Sequence, residues 1–316
     1  WQALMSEISF LGFEFSDLKL DDCGFLSDFL KRHPQPLTGY TFATLAAWQP
    51  YFHYRWVLAE PDTLLISCTI DPDPHPHMLQ PVGPLSPVLM EKLVQGAADL
   101  AYPLRVIGVC NRFLEENPAF LQSFPFHEDR AVSNYLYGAA ALAKLSGRKY
   151  SKKRNLLAQA SSLYNWTVQK LTAAITDSCF YVLDSIVKEE NPQMEEMLSR
   201  ELAALECTLR HFDALGQQGL LISANDRPVA FSIYEAISPA TVAVHFERAL
   251  RSHKGLFQVV NWETAKVVAA QGFEFINREE DLGDEGLRDA KMSYHPIEII
   301  PAYELTYRTP AVVGSR

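Results

Sequence analysis

Gly272-Phe273-Glu274-Phe275-Ile276-Asn277-Arg278-Glu279-Glu280-Asp281-Leu282-Gly283 is the stretch from which the rest of the chain is read. Phe273 and Phe275 alternate with polar or smaller residues, the period of a half-buried strand. The strand ends by unloading Asn277, Arg278, Glu279 and Asp281 into a loop. Gly283 and Gly286 break the pattern, and a short helix is predicted over Leu287–Met292, ahead of Pro296. Delivering a guanidinium, carboxylates and an amide from one strand end is a way to build a polar cleft on a rigid scaffold. The plain alternative is a solvated, charged turn. Against it stands the recurrence of the same charged and aromatic mixture at His245-Phe246-Glu247-Arg248.

Upstream of this stretch, Leu256–Ala270 reads as a helix ended by Gln271-Gly272, and Leu220–Ser223, Val229–Ile237 and Thr241–Phe246 read as strands. Further back, Asp177–Val187 and Met194–Leu215 carry helical periodicity, separated by Asn191-Pro192. A last strand is predicted near Ala302–Tyr307, so the second half runs β-β-β-α-β-α-β as a mixed sheet. In the first half a helix through Arg32 and another over Phe42–Trp48, stopped before Pro50, precede strands at Tyr51–Leu58 and Thr63–Thr69. The proline-dense Asp71–His77 reads as an extended connector. Ser86-Pro87 caps a helix to Leu100, Leu104–Val109 is a strand and Asn111–Asn117 a helix. Alternation of this kind marks an α/β class with mixed sheets. The boundary is expected between 145 and 175, giving domains 1–160 and 161–316.

Bulk properties narrow the function classes. The chain has 316 residues, 48% of them hydrophobic, enough for a substantial core. A formal net charge of −10 argues against broad DNA or anionic-membrane binding. Arg148-Lys149-Tyr150-Ser151-Lys152-Lys153-Arg154-Asn155 is the one dense basic run, readable as a solvated helix start or as a contact for anionic groups. Five cysteines lie far apart with no C-x-x-C pair, and His75 and His77 sit between prolines, so no metal is expected. No apolar run approaches the roughly 20 residues that cross a bilayer. The expectation is a soluble, cytoplasmic protein with reduced thiols.

Three separated motifs carry a family resemblance. They are the basic run 148–155, Val244-His245-Phe246-Glu247-Arg248-Ala249, and Asn277–Gly283 followed by Gly286-Leu287-Arg288 and Lys291-x-Ser293-Tyr294. Together they resemble the phosphatidylglycerol lysyltransferase C-terminal-like family, from about Phe42 to Tyr307. The resemblance implies tandem acyl-CoA N-acyltransferase domains of the GCN5-related (GNAT) fold, similar to Fem-type aminoacyltransferases that act on lipid head groups or cell-wall peptides. It places the substrate cleft in the second domain.

Acyl transfer needs an oriented electrophile, a route for the nucleophile's proton and donors for a developing oxyanion. His245 and Glu247 share a strand face, so His245 reads as a base held by a carboxylate, or as an internal histidine fixing a loop. Arg278 suits a carboxylate, phosphate or oxyanion. Glu279 and Asp281 suit a substrate ammonium, or an ion pair with Lys291 or Arg288. Lys152, Lys153, Arg154 and Asn155 suit phosphates of a lipid or of tRNA, and Asn277, Lys291 and Tyr294 complete the polar set. Lys254 and Gly255 stand where acetyl-CoA members cradle a pyrophosphate, yet with a single glycine, which fits aminoacyl-tRNA somewhat better than acyl-CoA as donor. The lead expectation is an acyl- or aminoacyltransferase acting on an amine- or hydroxyl-bearing lipid head group or peptide, with no DNA partner. The alternative is a non-catalytic protein that binds a polar metabolite, peptide or head group.

Overall fold

The computed structural model describes residues 8–189 and 196–307. In chain order the strands are β1 (Ile8–Phe10), β2 (Phe13–Asp17), β3 (Arg55–Glu60), β4 (Thr63–Ile70), β5 (Asp73–Leu79), β6 (Arg105–Val109), β7 (Phe126–Glu128) and β8 (Asn134–Gly138). They continue as β9 (Trp166–Lys170), β10 (Gln218–Ala224), β11 (Arg227–Ala236), β12 (Thr241–Ala249), β13 (Phe275–Asn277), β14 (Glu298–Ile300) and β15 (Tyr303–Thr306). The helices are α1 (Cys23–Arg32), α2 (Phe42–Phe52), α3 (Pro87–Ala98), α4 (Asn111–Glu116) and α5 (Ala139–Lys144). After them come α6 (Ser151–Leu163), α7 (Thr176–Glu189), α8 (Glu196–Arg210), α9 (Leu256–Ala270) and α10 (Glu285–Met292).

The described residues fall into two compact units, one of 8–40, 48–133 and 300–307, the other of 41–47, 134–189 and 196–299. The first holds a sheet in the order β1-β2-β3-β4-β5-β6-β15-β7, the second a sheet in the order β14-β8-β13-β12-β11-β10-β9. Each has one parallel pair, β5 with β6 and β12 with β13, set among antiparallel neighbours. A parallel pair needs a crossover of a dozen or more residues. Helix α3 supplies it in the first unit and α9 in the second.

In the second unit, Tyr135 and Tyr137 of β8 and Ile276 of β13 pack with Val242 and Val244 of β12 and with Ala265 and Val268 of α9. Residues 134–160 accordingly group with the second unit, whereas the sequence reading placed them in the first domain. The aromatic pair Tyr135 and Tyr137 alternates as a strand should, but is embedded in the scattered aromatics of 124–137 and was not read as one. The last strand differs too: β15 pairs with β6 and β7 of the first sheet rather than closing the second.

Two local readings also change. The connector at Asp71–His77 contains a real strand, β5, whose Pro76 pairs with Thr69 of β4. Its ladder to β6 spans only Met78 and Leu79, so the prolines lie where β5 has a single neighbour and lose no second bond. Helix α2 runs through Pro50 to Phe52, because a proline in the last turn forfeits one backbone bond instead of breaking the interior. The predicted start of the eighth helix at Met194 and the Asn191-Pro192 break lie outside the described residues.

Gly219 marks the tightest point of the second sheet. A Cβ there would sit 2.5 Å from the Ser232 carbonyl oxygen and 2.9 Å from Leu171 Cδ2. Gly219→Ala is therefore expected to destabilise the chain by about 1–3 kcal/mol, the usual cost of overpacking. Urea unfolding measures this, and an unchanged midpoint would show that the strand relaxes freely.

Candidate active site

Strand β13 is three residues long, in parallel register with β12 through Thr241–Phe275 and Ala243–Asn277. Beyond it the chain stays against β8: Arg278 N–H donates to the Tyr135 carbonyl, and Tyr135 N–H to the Glu279 carbonyl. The buried Asn277 amide organises this exit. Its Oδ1 accepts the Glu279 N–H at 2.8 Å, and its Nδ2 donates to Asn134 Oδ1 at 3.1 Å. Glu279 takes up φ +59°, a left-handed conformation that this side-chain bond helps to hold. The turn lets Arg278 and Glu279, adjacent in sequence, both reach β12.

On β12 a register shift opposite Ile233/Tyr234 pairs Phe246 with Ile233 and Val244 with Tyr234, leaving His245 as the extra residue. Bulges of this kind re-aim a side chain. His245 Nδ1 lies 2.7 Å from Glu279 Oε1 and Nε2 lies 2.8 Å from Glu235 Oε1, with the imidazole 6% exposed. Burial alone would push its pKa down. The charges and hydrogen bonds of Glu279 and Glu235 outweigh it and hold the pKa up at about 10. Both ring nitrogens therefore donate, and no lone pair is left to take a substrate proton at neutral pH. The reading of His245 as a base held by Glu247 is corrected on both counts: the ring is a clamped cation, and Glu247 is engaged elsewhere.

Glu247 pairs with Arg278 and accepts from Asn261 Nδ2 of α9 at 3.3 Å. Asn261 Oδ1, buried beside it, has no hydrogen-bond partner among the described residues. The Arg278 guanidinium lies 5.1 Å from the centroid of the Tyr294 ring, and Lys153 Nζ lies 3.8 Å from the same centroid. Lys153 also donates to Ser293 Oγ at 2.6 Å. Burial, and then the Arg278 charge, lower the Lys153 pKa to about 8. Lys291, on α10, donates from Nζ to the carbonyls of Arg278 and Glu280, each at 2.5 Å, which ties the loop to the helix. Burial and Arg278 push the Lys291 pKa down, while burial and Glu279 push Glu280 up. Tyr294 is buried and its hydroxyl is raised to about 12.

Other expected site residues have different work. Asp281 is fully buried, accepting from Arg288 through both oxygens at 2.9 and 3.0 Å and from the Tyr135 hydroxyl at 2.5 Å. Those donors overcome the effect of burial and keep the carboxyl well below its ordinary range. A carboxylate so engaged fixes the loop rather than meeting a substrate ammonium. Arg154 donates to the carbonyls of Leu145 and Gly147 at the end of α5, and Lys152 and Asn155 are exposed. Within the basic run, Lys153 meets the Tyr294 ring and the Tyr150 hydroxyl donates to the Tyr294 carbonyl at 3.2 Å. Lys254 is exposed in the turn before α9. Gly255 does adopt φ +86°, but a Cβ there would meet the Leu156 carbonyl oxygen at 2.8 Å and Ala160 Cβ at 3.1 Å. That space is filled by α6, so the glycine serves helix packing and the residues do not fit a pyrophosphate cradle.

Sequence reasoning passed over Glu235, Glu280, Asn261 and Tyr135. Glu235 sits one residue beyond the β11 bulge partner, and its link to His245 depends on that bulge, which no residue pattern announced. Among the described residues no group of three or more His, Cys, Asp or Glu side chains is placed to hold a metal ion. His75 and His77 both bond to Asp73, at 2.6 and 3.0 Å. Among the same residues no helix is long and apolar enough to cross a membrane.

Two mixed sheets, each with a parallel pair bridged by a helix, give a tandem GNAT-like fold, and solved structures agree. A tandem GNAT protein from the clavulanic acid biosynthesis pathway is similar over 94% of this chain and 99% of its own, with 10% identity and a TM-score of 0.52. The chain belongs to the phosphatidylglycerol lysyltransferase C-terminal family, whose model matches residues 31–306. A conserved protein of unknown function from Bacteroides thetaiotaomicron is 29% identical, with a TM-score of 0.85 over 93% of this chain and 99% of that one. The L-PGS from Bacillus licheniformis is 13% identical, with a TM-score of 0.63 over 92% and 93%. No curated protein matches the chain.

The His245 clamp has a direct observable. In the unfolded chain a histidine titrates near 6.5, and in the fold it keeps its proton to about 10. Its contribution to stability is thus complete below about pH 6.5 and lost as pH rises towards 10. Nitrogen NMR at pH 8 is expected to show both ring nitrogens protonated, and a neutral tautomer at that pH would refute the clamp.

Proposed function

We propose that this chain is an acyl- or aminoacyltransferase that carries an acyl group to an amine- or hydroxyl-bearing acceptor with a phosphate or carboxylate nearby. The observation that carries this reading is the convergence of Arg278 and Lys153 on one face of chemistry around Tyr294, backed by Glu247 and Lys291. Two cations held this close repel one another, and an anionic group between or beside them relieves that repulsion. The same donors suit the oxyanion of a tetrahedral intermediate. Glu280, raised by burial and by Glu279, is the carboxyl best placed to exchange a proton near neutral pH, the task first given to His245. The unpartnered Asn261 Oδ1 beside Glu247 is an acceptor for an incoming ammonium or hydroxyl.

Family membership favours lipid head groups or peptides as acceptors. The filled space at Gly255 favours aminoacyl-tRNA over acyl-CoA as donor. Lys153 is the basic residue of the 148–155 run through which a donor or acceptor phosphate would be met. A second reading, recognition without turnover, draws on one specific feature: the histidine at the centre of the cluster is locked as a cation and does no acid–base work.

Purified chain incubated with labelled aminoacyl-tRNA or acyl-CoA, together with lipid and peptide acceptors, is expected to transfer label. Arg278→Ala is expected to lower the rate at least a hundredfold, the scale of losing an oxyanion donor. Binding of donor or acceptor with no transfer by the wild type would select the recognition role instead. Because the anion must meet a protonated Lys153, affinity for the anionic substrate is expected to fall as pH rises through about 8. Lys153→Met is expected to remove that pH dependence, and a persistent limb in the variant would assign it to another group.

A further inference from the structure

Two lysines of the second unit lie beside Arg278, and their surroundings differ in kind. Lys291 is buried, and its Nζ is spent on the carbonyls of Arg278 and Glu280. Lys153, on α6, is half-buried and has no carboxylate within ion-pair distance among the described residues. Its Nζ makes a single hydrogen bond, to Ser293 Oγ at 2.6 Å, and Ser293 Oγ in turn donates to the Ala290 carbonyl at 2.6 Å. The centroid of the Tyr294 ring lies 3.8 Å from the same nitrogen. Lys266 shows the ordinary arrangement, paired with Glu263 at 2.8 Å.

A hydroxyl, a ring face and a second cation do not balance an ammonium. The hydroxyl accepts one of its protons, and the ring offers only its quadrupole. Arg278, 5.1 Å from the centroid of the same ring, repels it. Burial, and then that repulsion, lower the Lys153 pKa to about 8, so about half of the amine is free at pH 8. Desolvation beside another cation is a general way to make a lysine nucleophilic. Arg278 supplies the second element. Its one side-chain hydrogen bond among the described residues goes to Glu247, which leaves most of its N–H groups for the oxygens of an incoming anion.

We propose that Lys153 is a site of covalent acylation by an acyl phosphate, whose phosphate is met by Arg278. The amine, having lost its ammonium proton to solvent, adds through its lone pair to the carbonyl carbon. The bond from that carbon to the bridging phosphate oxygen then breaks. Phosphate leaves with the electron pair and takes up one proton from the nitrogen, so the products are an amide and hydrogen phosphate. An acyl phosphate answers both groups at once, an electrophile for the amine and a dianion for the guanidinium. A thioester or oxygen ester carries no charge at its reacting end and lacks that attraction. The amide is neutral, so acylation removes one of the two cations around Tyr294 and weakens the anion contact there. That consequence rests on the proposed function, whereas the acylation itself needs neither acceptor nor turnover.

Incubation of the full chain with acetyl phosphate at pH 8, with no acceptor present, tests this by peptide mass mapping over time. Lys149 and Lys152, exposed in the same basic run, are internal references. Lys153 is expected to gain acetyl about tenfold faster than either. The succinimidyl ester of acetic acid, which has no phosphate, is expected to show a smaller preference, and excess inorganic phosphate to slow Lys153 alone. Arg278→Met should slow Lys153 several-fold and leave Lys149 and Lys152 unchanged. Should that variant fail to fold, the phosphate competition decides. Equal rates at the three lysines, no protection by phosphate, an undiminished preference with the succinimidyl ester, or an unslowed Lys153 in folded Arg278→Met would each overturn the proposal. A chain that acetylates Lys153 in this way yet transfers nothing to any acceptor refutes the proposed function and upholds this site.

Discussion

Burying charge without matching it costs several kcal/mol per ion, and that constraint shapes the loop that follows β13. Arg278 is set on Glu247, His245 between Glu235 and Glu279, and Asp281 on Arg288 and Tyr135. Lys291 has no carboxylate to itself; it takes two backbone carbonyls of the same loop instead. Together the pairings join this loop to β12, α10 and β8, and through His245 to β11. A short strand with only three residues in register could not hold such a loop through its own ladder. The ion pairs and amide bonds do it, and the strained Glu279 backbone persists because its surroundings over-determine it.

The network also sorts residues that hold from residues free to act. Asp281 and Asn277 are held by partners within the fold, and Arg154 spends Nη1 on two backbone carbonyls. His245 is saturated at both nitrogens, so its charge serves to place Glu279 and Glu235. Arg278 and Lys153 are only partly engaged and share the Tyr294 ring, which puts positive charge at one spot without a full complement of anions. Asn261, on the neighbouring helix, adds a buried acceptor. A surface with both an excess donor cluster and an unused acceptor is suited to a ligand that carries both signs of polarity.

Much of this was legible in the residues. Period and punctuation gave most helices and strands, and Ser86 caps α3 by accepting from the Leu89 N–H, as its place before Pro87 implied. The coming together of Arg278, Glu279, His245 and Glu247 was also foreseeable, since two strand ends rich in the same chemistry recur within one mixed sheet. What the residues did not disclose was pairing. The bulge that singles out His245 arises from the register between β11 and β12, a property of two strands rather than of one. Tyr135 and Tyr137 looked like scattered aromatics because their five-residue strand lies between a short 3₁₀ turn and the start of α5, too short to show a clear period. The return of β15 to the first sheet is a matter of topology, to which local pattern is blind. Gly255 had the right residue for a phosphate turn, and only the approach of α6 revealed its other use.

A double-mutant cycle on Arg278→Met and Glu247→Gln, read by urea unfolding, addresses the central claim that buried charge pairing fixes this loop. Pairing of the kind described gives a coupling energy of about 1–3 kcal/mol between the two sites, with each single change costing more than it does in the other's absence. Additivity to within about 0.5 kcal/mol would mean that the pair is incidental and that something else holds the loop in place.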